Sequence, residues 1–236
     1  MSDEKQYQAD VITGSPGPIP QLSRERIIET LDIACLKPDA TTLDITAAAH
    51  EVEHIGAAAV CVASYNVALA KQVTHHVCSV IGFPHGNVSP DIKFWEARAA
   101  IEDGATELDV VINYSRFLEG REVSVAQELG RIVLLAHQVG ARVKAILETC
   151  YYQPRQILSA SRLCVDCGVD WVKTSTGFGP GGATPGAVEL MLEAVEGAAG
   201  VKASGGIKSY EDACLFLSLG CTRLGVGITS YKGLLP

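Results

Sequence analysis

Lys173 sits in the run WVKTST, preceded by Trp171 and Val172, and this stretch reads as a strand. A lysine aimed into aliphatic surroundings is desolvated there, which disfavours its ammonium form and lowers its pKa. The neutral amine is a nucleophile able to form a Schiff base with a carbonyl. For a single strand lysine the alternatives are a side chain snorkelling to the rim or paired with a carboxylate. Lys202, in VKASGG, follows 29 residues later, one βα repeat on, at a similar depth. Two neighbouring ammonium groups repel, which favours a neutral amine on one of them. Asp109, in ELDVVIN, lies between apolar neighbours and needs a cationic partner if buried. A structural ion pair is the alternative role for it. Lys144, in RVKAILET, is a third strand lysine, and Glu148 lies four residues beyond it. Three lysines and an aspartate facing one cavity are hard to explain as packing, provided that Lys144, Glu148, Lys173 and Lys202 all point inward.

Glycines form the second constellation. Gly205 and Gly206 close one apolar run, and Gly225 and Gly227 close the next. Glycine lets backbone N–H groups approach an oxyanion without obstruction by Cβ. Ordinary tight turns are the alternative for each pair alone, but glycines after two successive strands, beside a lysine pair, point to a phosphate site. The loop GFGPGGAT (177–184) is long enough to cover a cavity, and it is no P-loop because no GK[ST] follows.

Of the eight cysteines, only Cys164 and Cys167 form a CxxC, with no second CxxC or His pair beside it. A zinc site needs about four ligands, so LCVDCG reads as helix with buried free thiols. The six histidines, including His75 and His76 at an expected helix end, show no metal spacing. No metal site is expected from these residues.

The elements that must position these residues alternate regularly. Strands are predicted at 31–36, 57–63, 77–83, 107–113, 142–149, 171–176, 201–206 and 221–227. Helices are predicted at 42–55, 67–76, 91–104, 124–140, 154–168, 185–197 and 210–220. Gly56, Gly104, Gly140, Gly168 and Gly220 stand where helices end. Apolar strands joined by helical crossovers make a parallel sheet with covered faces. Eight such units close into a (β/α)₈ TIM barrel, whose active sites sit at the C-terminal ends of the strands. An open doubly wound sheet is the rival, but no GxGxxG follows the first strand. Residues 21–236 are therefore expected to form one barrel with a short N-terminal helix. Residues 1–20 are expected to form a mobile tail.

The chain has 236 residues, 47% hydrophobic and 19% charged, with net charge −8, which suits one barrel and excludes a disordered chain. No basic run suggests nucleic acid, and no segment reads as a signal core or membrane span. Free thiols in this number suit a cytoplasmic setting.

ELDVVIN, VKAILET, WVKTSTGFGPGGAT, VKASGGI and the early LKPDAT, in this order and spacing, resemble the deoxyribose-phosphate aldolase family, and IGFPHG (81–86) with Lys93 and Glu96 also fits. The resemblance covers roughly residues 24–230. It implies a class I aldolase, a lyase of deoxyribonucleoside catabolism that cleaves 2-deoxy-D-ribose 5-phosphate to D-glyceraldehyde 3-phosphate and acetaldehyde. It implies that Lys173 forms the Schiff base, that Lys202 lowers its pKa, that Asp109 joins Lys202 in a proton relay, and that no metal and no organic cofactor takes part. Asp32, Lys144 and Thr176 match substrate-lining positions. Gly205, Gly206 and the segment Arg223–Gly225, with Gly227, match phosphate-binding loops. The sequence departs from the family pattern at Ile33 and Ala34, where polar residues are usual. It departs again at Val226, Gly227 and Ile228, which delay the hydroxyl residues to Thr229, and at the short end YKGLLP. The expected partners are a sugar phosphate and further copies of the chain, as homodimer or homotetramer. Another Schiff-base aldolase, or a barrel that only binds a phosphorylated metabolite, are the competing readings.

Overall fold

Eight short strands form where the apolar runs predict them. They are β1 (Leu31–Cys35), β2 (Ala59–Ala63), β3 (Val77–Ile81), β4 (Glu107–Val111), β5 (Arg142–Ile146), β6 (Trp171–Lys173), β7 (Gly200–Ser204) and β8 (Arg223–Gly227). In this computed structural model, which describes residues 19–236, they pair in sequence order, all parallel, and β8 closes onto β1. The expected tail falls almost wholly outside the described residues. The fold is the (β/α)₈ barrel, and among the described residues no helix is long and apolar enough to cross a membrane.

The helices are α1 (Arg24–Ile28), α2 (Thr42–Ile55), α3 (Val67–Lys71), α4 (Pro90–Glu102), α5 (Tyr114–Leu118), α6 (Glu122–His137), α7 (Pro154–Asp166), α8 (Pro185–Val195) and α9 (Tyr210–Leu219). Local chemistry sets their starts. Thr41 and Ser209 form capping boxes with Asp44 and Asp212, satisfying orphan N–H groups. Ser89 and Thr184 cap helices whose first residue is proline. Gly56 and Gly220 end their helices in the left-handed conformation, as expected of C-terminal glycines.

Two expectations change. The helix predicted at 67–76 stops at Lys71, so His75 and His76 lie in the turn before β3 rather than at a helix end. YSRFL, unassigned from sequence, forms α5 because the Asn113 side chain accepts the N–H of Arg116. The CxxC lies on α7 as expected; Cys164 is buried, but Cys167 at the helix end is only half-buried.

The apolar core divides in two. The larger part lies between strands and helices, with Ile33, Leu108, Val143, Val172, Val201 and Leu224 facing outward onto the helices. The smaller lies inside the barrel and holds Ala59, Cys61, Cys78 and Val80. β2 and β3 thus give the interior a small apolar wall, while charged residues of β1 and of β4 to β8 fill the rest.

Candidate active site

Register places the charged residues in layers. Lys173 pairs with Lys202 across β6 and β7, and Asp109 with Lys144 across β4 and β5. Lys144 stands opposite Trp171, two residues before Lys173, and therefore one layer deeper. All three lysines point inward, as parity requires. Lys173 Nζ donates to Asp109 Oδ2 at 2.6 Å, and Lys202 Nζ donates to the same oxygen at 2.8 Å. Lys202 also donates to Asp32. Lys144 Nζ reaches Asp109 Oδ1 at 2.9 Å, Glu107 Oε2 at 2.5 Å and Asp32 Oδ2 at 3.4 Å. Arg223 binds both oxygens of Glu107 and lies 3.3 Å from Asp32 Oδ1.

The expectation of an aliphatic environment around Lys173 is therefore corrected. Lys173 is buried, but among charges. Burial opposes ionisation of Asp109, yet Lys144, Lys173 and Lys202 outweigh it and hold its carboxyl well below the usual range. Asp32 is likewise held at about 2, burial opposing and Lys144, Lys202 and Arg223 prevailing. Burial alone would lower Lys202, but Asp109 and Asp32 raise it above the ordinary lysine value. Lys202 is thus a firmly held ammonium.

A cavity of about 410 Å³ opens at the C-terminal ends of the strands. Lys173, Lys202, Asp32, Thr176, Gly205, Gly206, Gly225 and Gly227 line it, together with Ala34. Asp109 lies behind the two lysines. Lys144, expected to line the substrate, is instead fully buried under Asp109, because its register is one layer too deep. Arg223, expected near phosphate, begins β8 and points to the opposite end of the barrel, onto Glu107 and Trp171. Glu148 turns away from the lysines. In the left-handed conformation, it accepts the hydroxyl of Thr176 and anchors the loop after β6. Phe178 of that loop meets Phe83 edge-on at 5.2 Å over the mouth.

Gly205 and Gly206 have φ of 82° and 81°, and their N–H groups donate to no acceptor among the described residues. They are free to hold an anion.

The model of the DeoC/LacD family of aldolases matches residues 29–218. A deoxyribose-phosphate aldolase from Thermococcus gammatolerans is 44% identical over 215 residues, covering 88% of this chain and 96% of that one. The chain belongs to the DeoC/LacD aldolase family. Among solved structures, the aldolase QR15 is 38% identical, with a TM-score of 0.81 over 84% of this chain and 90% of its own. A deoxyribose phosphate aldolase from Aeropyrum pernix, described as tetrameric, is 35% identical with a TM-score of 0.79, over 90% of this chain and 91% of its own.

The aldolase carries site residues that the sequence reading missed. Cys61, Ser204, Lys37, Lys208 and Ser230 line the cavity, beside Thr229, already noted after β8. Thr229 and Ser230 return hydroxyl groups to the region where Val226, Gly227 and Ile228 removed them. Asp32, Cys78 and Glu107 converge closely enough to hold a cation, as do Cys61, Cys78 and Asp109. Lys144's ammonium already reaches four of those five side chains, all but Cys61. Strand phase could have flagged Cys61, and Lys37 lies in the quoted LKPDAT run, although nothing there marked it as facing the cavity.

Proposed function

We propose that this aldolase reversibly cleaves 2-deoxy-D-ribose 5-phosphate to D-glyceraldehyde 3-phosphate and acetaldehyde, a step of deoxyribonucleoside catabolism, through a Schiff base on Lys173. The observation that carries the reading is charge balance. Asp32, Glu107 and Asp109 face Lys144, Lys173, Lys202 and Arg223, so one cation is in excess. Lys173 is the least compensated, with one carboxylate oxygen within reach, whereas each of the others meets two or more carboxylates. It also lines the cavity. Lys173 is therefore the lysine with the fewest counter-charges and an open path to a substrate carbonyl.

The neutral Nζ of Lys173 attacks the C1 aldehyde, and loss of water leaves an iminium. The C3 hydroxyl gives its proton to a water held by Lys202, which Asp109 supports from behind. The C2–C3 bond breaks, its electron pair forms the enamine, and glyceraldehyde 3-phosphate leaves. Protonation of the enamine carbon and hydrolysis release acetaldehyde and restore the amine. Gly205 and Gly206 receive the phosphate, with Gly225, Gly227 and the hydroxyls of Thr229 and Ser230 beside them. Asp32 and Thr176 orient the sugar. The iminium supplies the electron sink, so the scheme calls on no metal. The relatives' name supports the substrate, and the tetrameric relative supports a homo-oligomer. Eight free thiols support a cytoplasmic setting.

Mass spectrometry after treatment with acetaldehyde and borohydride tests the nucleophile. One ethyl group is expected, on Lys173. An adduct on Lys144 or Lys202 instead would falsify the assignment, and no adduct at all would favour a barrel that binds without catalysis.

A further inference from the structure

We infer that Glu107, which touches neither the cavity nor any reacting atom, is a positioning residue that governs the protonation of Lys173 by balancing the cations behind Asp109. The inference rests on the Schiff-base reading of Lys173.

Every other strand contributes to the field around that amine. β1 brings Asp32, β2 Cys61, β3 Cys78, β4 Glu107 and Asp109, β5 Lys144, β7 Lys202 and β8 Arg223. Arg142, half-exposed at the start of β5, also reaches Glu107. Glu107 is 2% exposed and takes up Lys144, Arg223 and Arg142 at once. Burial opposes its ionisation, but Lys144 and Arg223 keep its carboxyl below the usual range.

The two oxygens of Asp109 divide the work. Oδ1 serves Lys144, and Oδ2 serves Lys173 and Lys202. Without the charge of Glu107, Lys144 and Arg223 have only Asp109 and Asp32 to lean on. Those are the carboxylates that hold the ammonium groups of Lys173 and Lys202. The excess of positive charge in the barrel also rises from one to two. Both changes destabilise the ammonium form of Lys173, so its pKa falls. Loss of Arg223 acts in the opposite direction.

The test is the pH dependence of imine trapping at Lys173, with acetaldehyde and borohydride, followed by mass spectrometry. In Glu107→Gln the midpoint moves down by about one pH unit, the order expected for removal of a nearby unit charge at an effective dielectric of about 20. In Arg223→Gln it moves up by a similar amount. In the double variant Glu107→Gln/Arg223→Gln, the midpoint returns to the wild-type value although both native contacts are lost. A purely structural role would not produce opposite shifts that cancel. An unchanged midpoint in either single variant, with the adduct still on Lys173, overturns the inference and leaves the nucleophile standing. A shift that persists in the double variant overturns it too. If Glu107→Gln fails to fold, Arg223→Gln alone decides by the sign of its shift. Absence of any Lys173 adduct in the wild type is a different result: it sinks the nucleophile assignment itself.

Discussion

Lys173 and Lys202 are neighbours in register and share one carboxylate oxygen, yet they are not equivalent. Lys202 has Asp32 as a second partner and is held as an ammonium, while Lys173 has Asp109 alone. Removing Lys202 therefore gives Lys173 undivided use of Asp109 and ends ammonium–ammonium repulsion. In Lys202→Leu the trapping midpoint of Lys173 should rise, and turnover should fall further than trapping because the proton relay is also lost. A midpoint that stays in place would remove the electrostatic part of that role. Asp109→Asn should differ in kind, leaving some imine formation while proton transfer fails; full turnover in this variant would return Asp109 to a structural ion pair. The three residues were legible in the sequence because a charged residue inside an apolar strand is costly unless it is used or paired. Glu107 and Arg223 were not, because both begin strands, where charge usually faces water. Their burial follows from barrel closure, which brings β4 and β8 together through the interior.

At the level of elements, the sequence located every strand but not its depth in the barrel. Lys144 and Lys173 occupy similar runs, and only the β5–β6 register shows that one lies a layer below the other. Helix α3 ends early, although its apolar pattern continues, because Val73 and Thr74 leave the helix to feed β3. The glycine pair after β7 was legible, since positive φ favours glycine and the spacing matched a barrel phosphate loop. A Cβ on Gly206 would meet open space beside the cavity, so Gly206→Val adds bulk where the anion would sit. It also places a β-branched residue at φ of 81°, which costs about 1–2 kcal/mol locally. KM for the phosphorylated sugar should rise about tenfold, the loss of one charge-assisted hydrogen bond. Cleavage of unphosphorylated deoxyribose should change little. Steady-state kinetics on both substrates separates the cases, and equal losses on the two would make the loop structural.

At the scale of the whole molecule, the barrel interior packs opposite charges densely away from solvent, and its stability must depend on pH. Asp32 illustrates the sign. Its carboxyl is held at about 2 in the folded protein against an ordinary value of 3.8. A depressed folded pKa gives stability that is fully present above the unfolded value and is lost as pH falls through the folded one. The window for Asp32 therefore runs from about pH 4 down to about pH 2, and its contribution there is roughly 2 kcal/mol. Asp109 and Glu107 are shifted in the same direction and steepen the same limb. Lys202 is shifted upward, so its contribution is complete throughout the acid range and cannot mimic the effect. Urea unfolding across about pH 2 to 7 should show a plateau above about pH 5 and a steep loss below about pH 4. Asp32→Asn should be less stable than wild type on the plateau, because Lys202 and Arg223 lose a counter-charge. At the acid end the protonated carboxyl of Asp32 is as neutral as the amide that replaces it in the variant. The wild-type and Asp32→Asn curves should therefore converge there. Curves that stay parallel down to about pH 2 would show that the side chain's shape, and not its charge, carries the stabilisation.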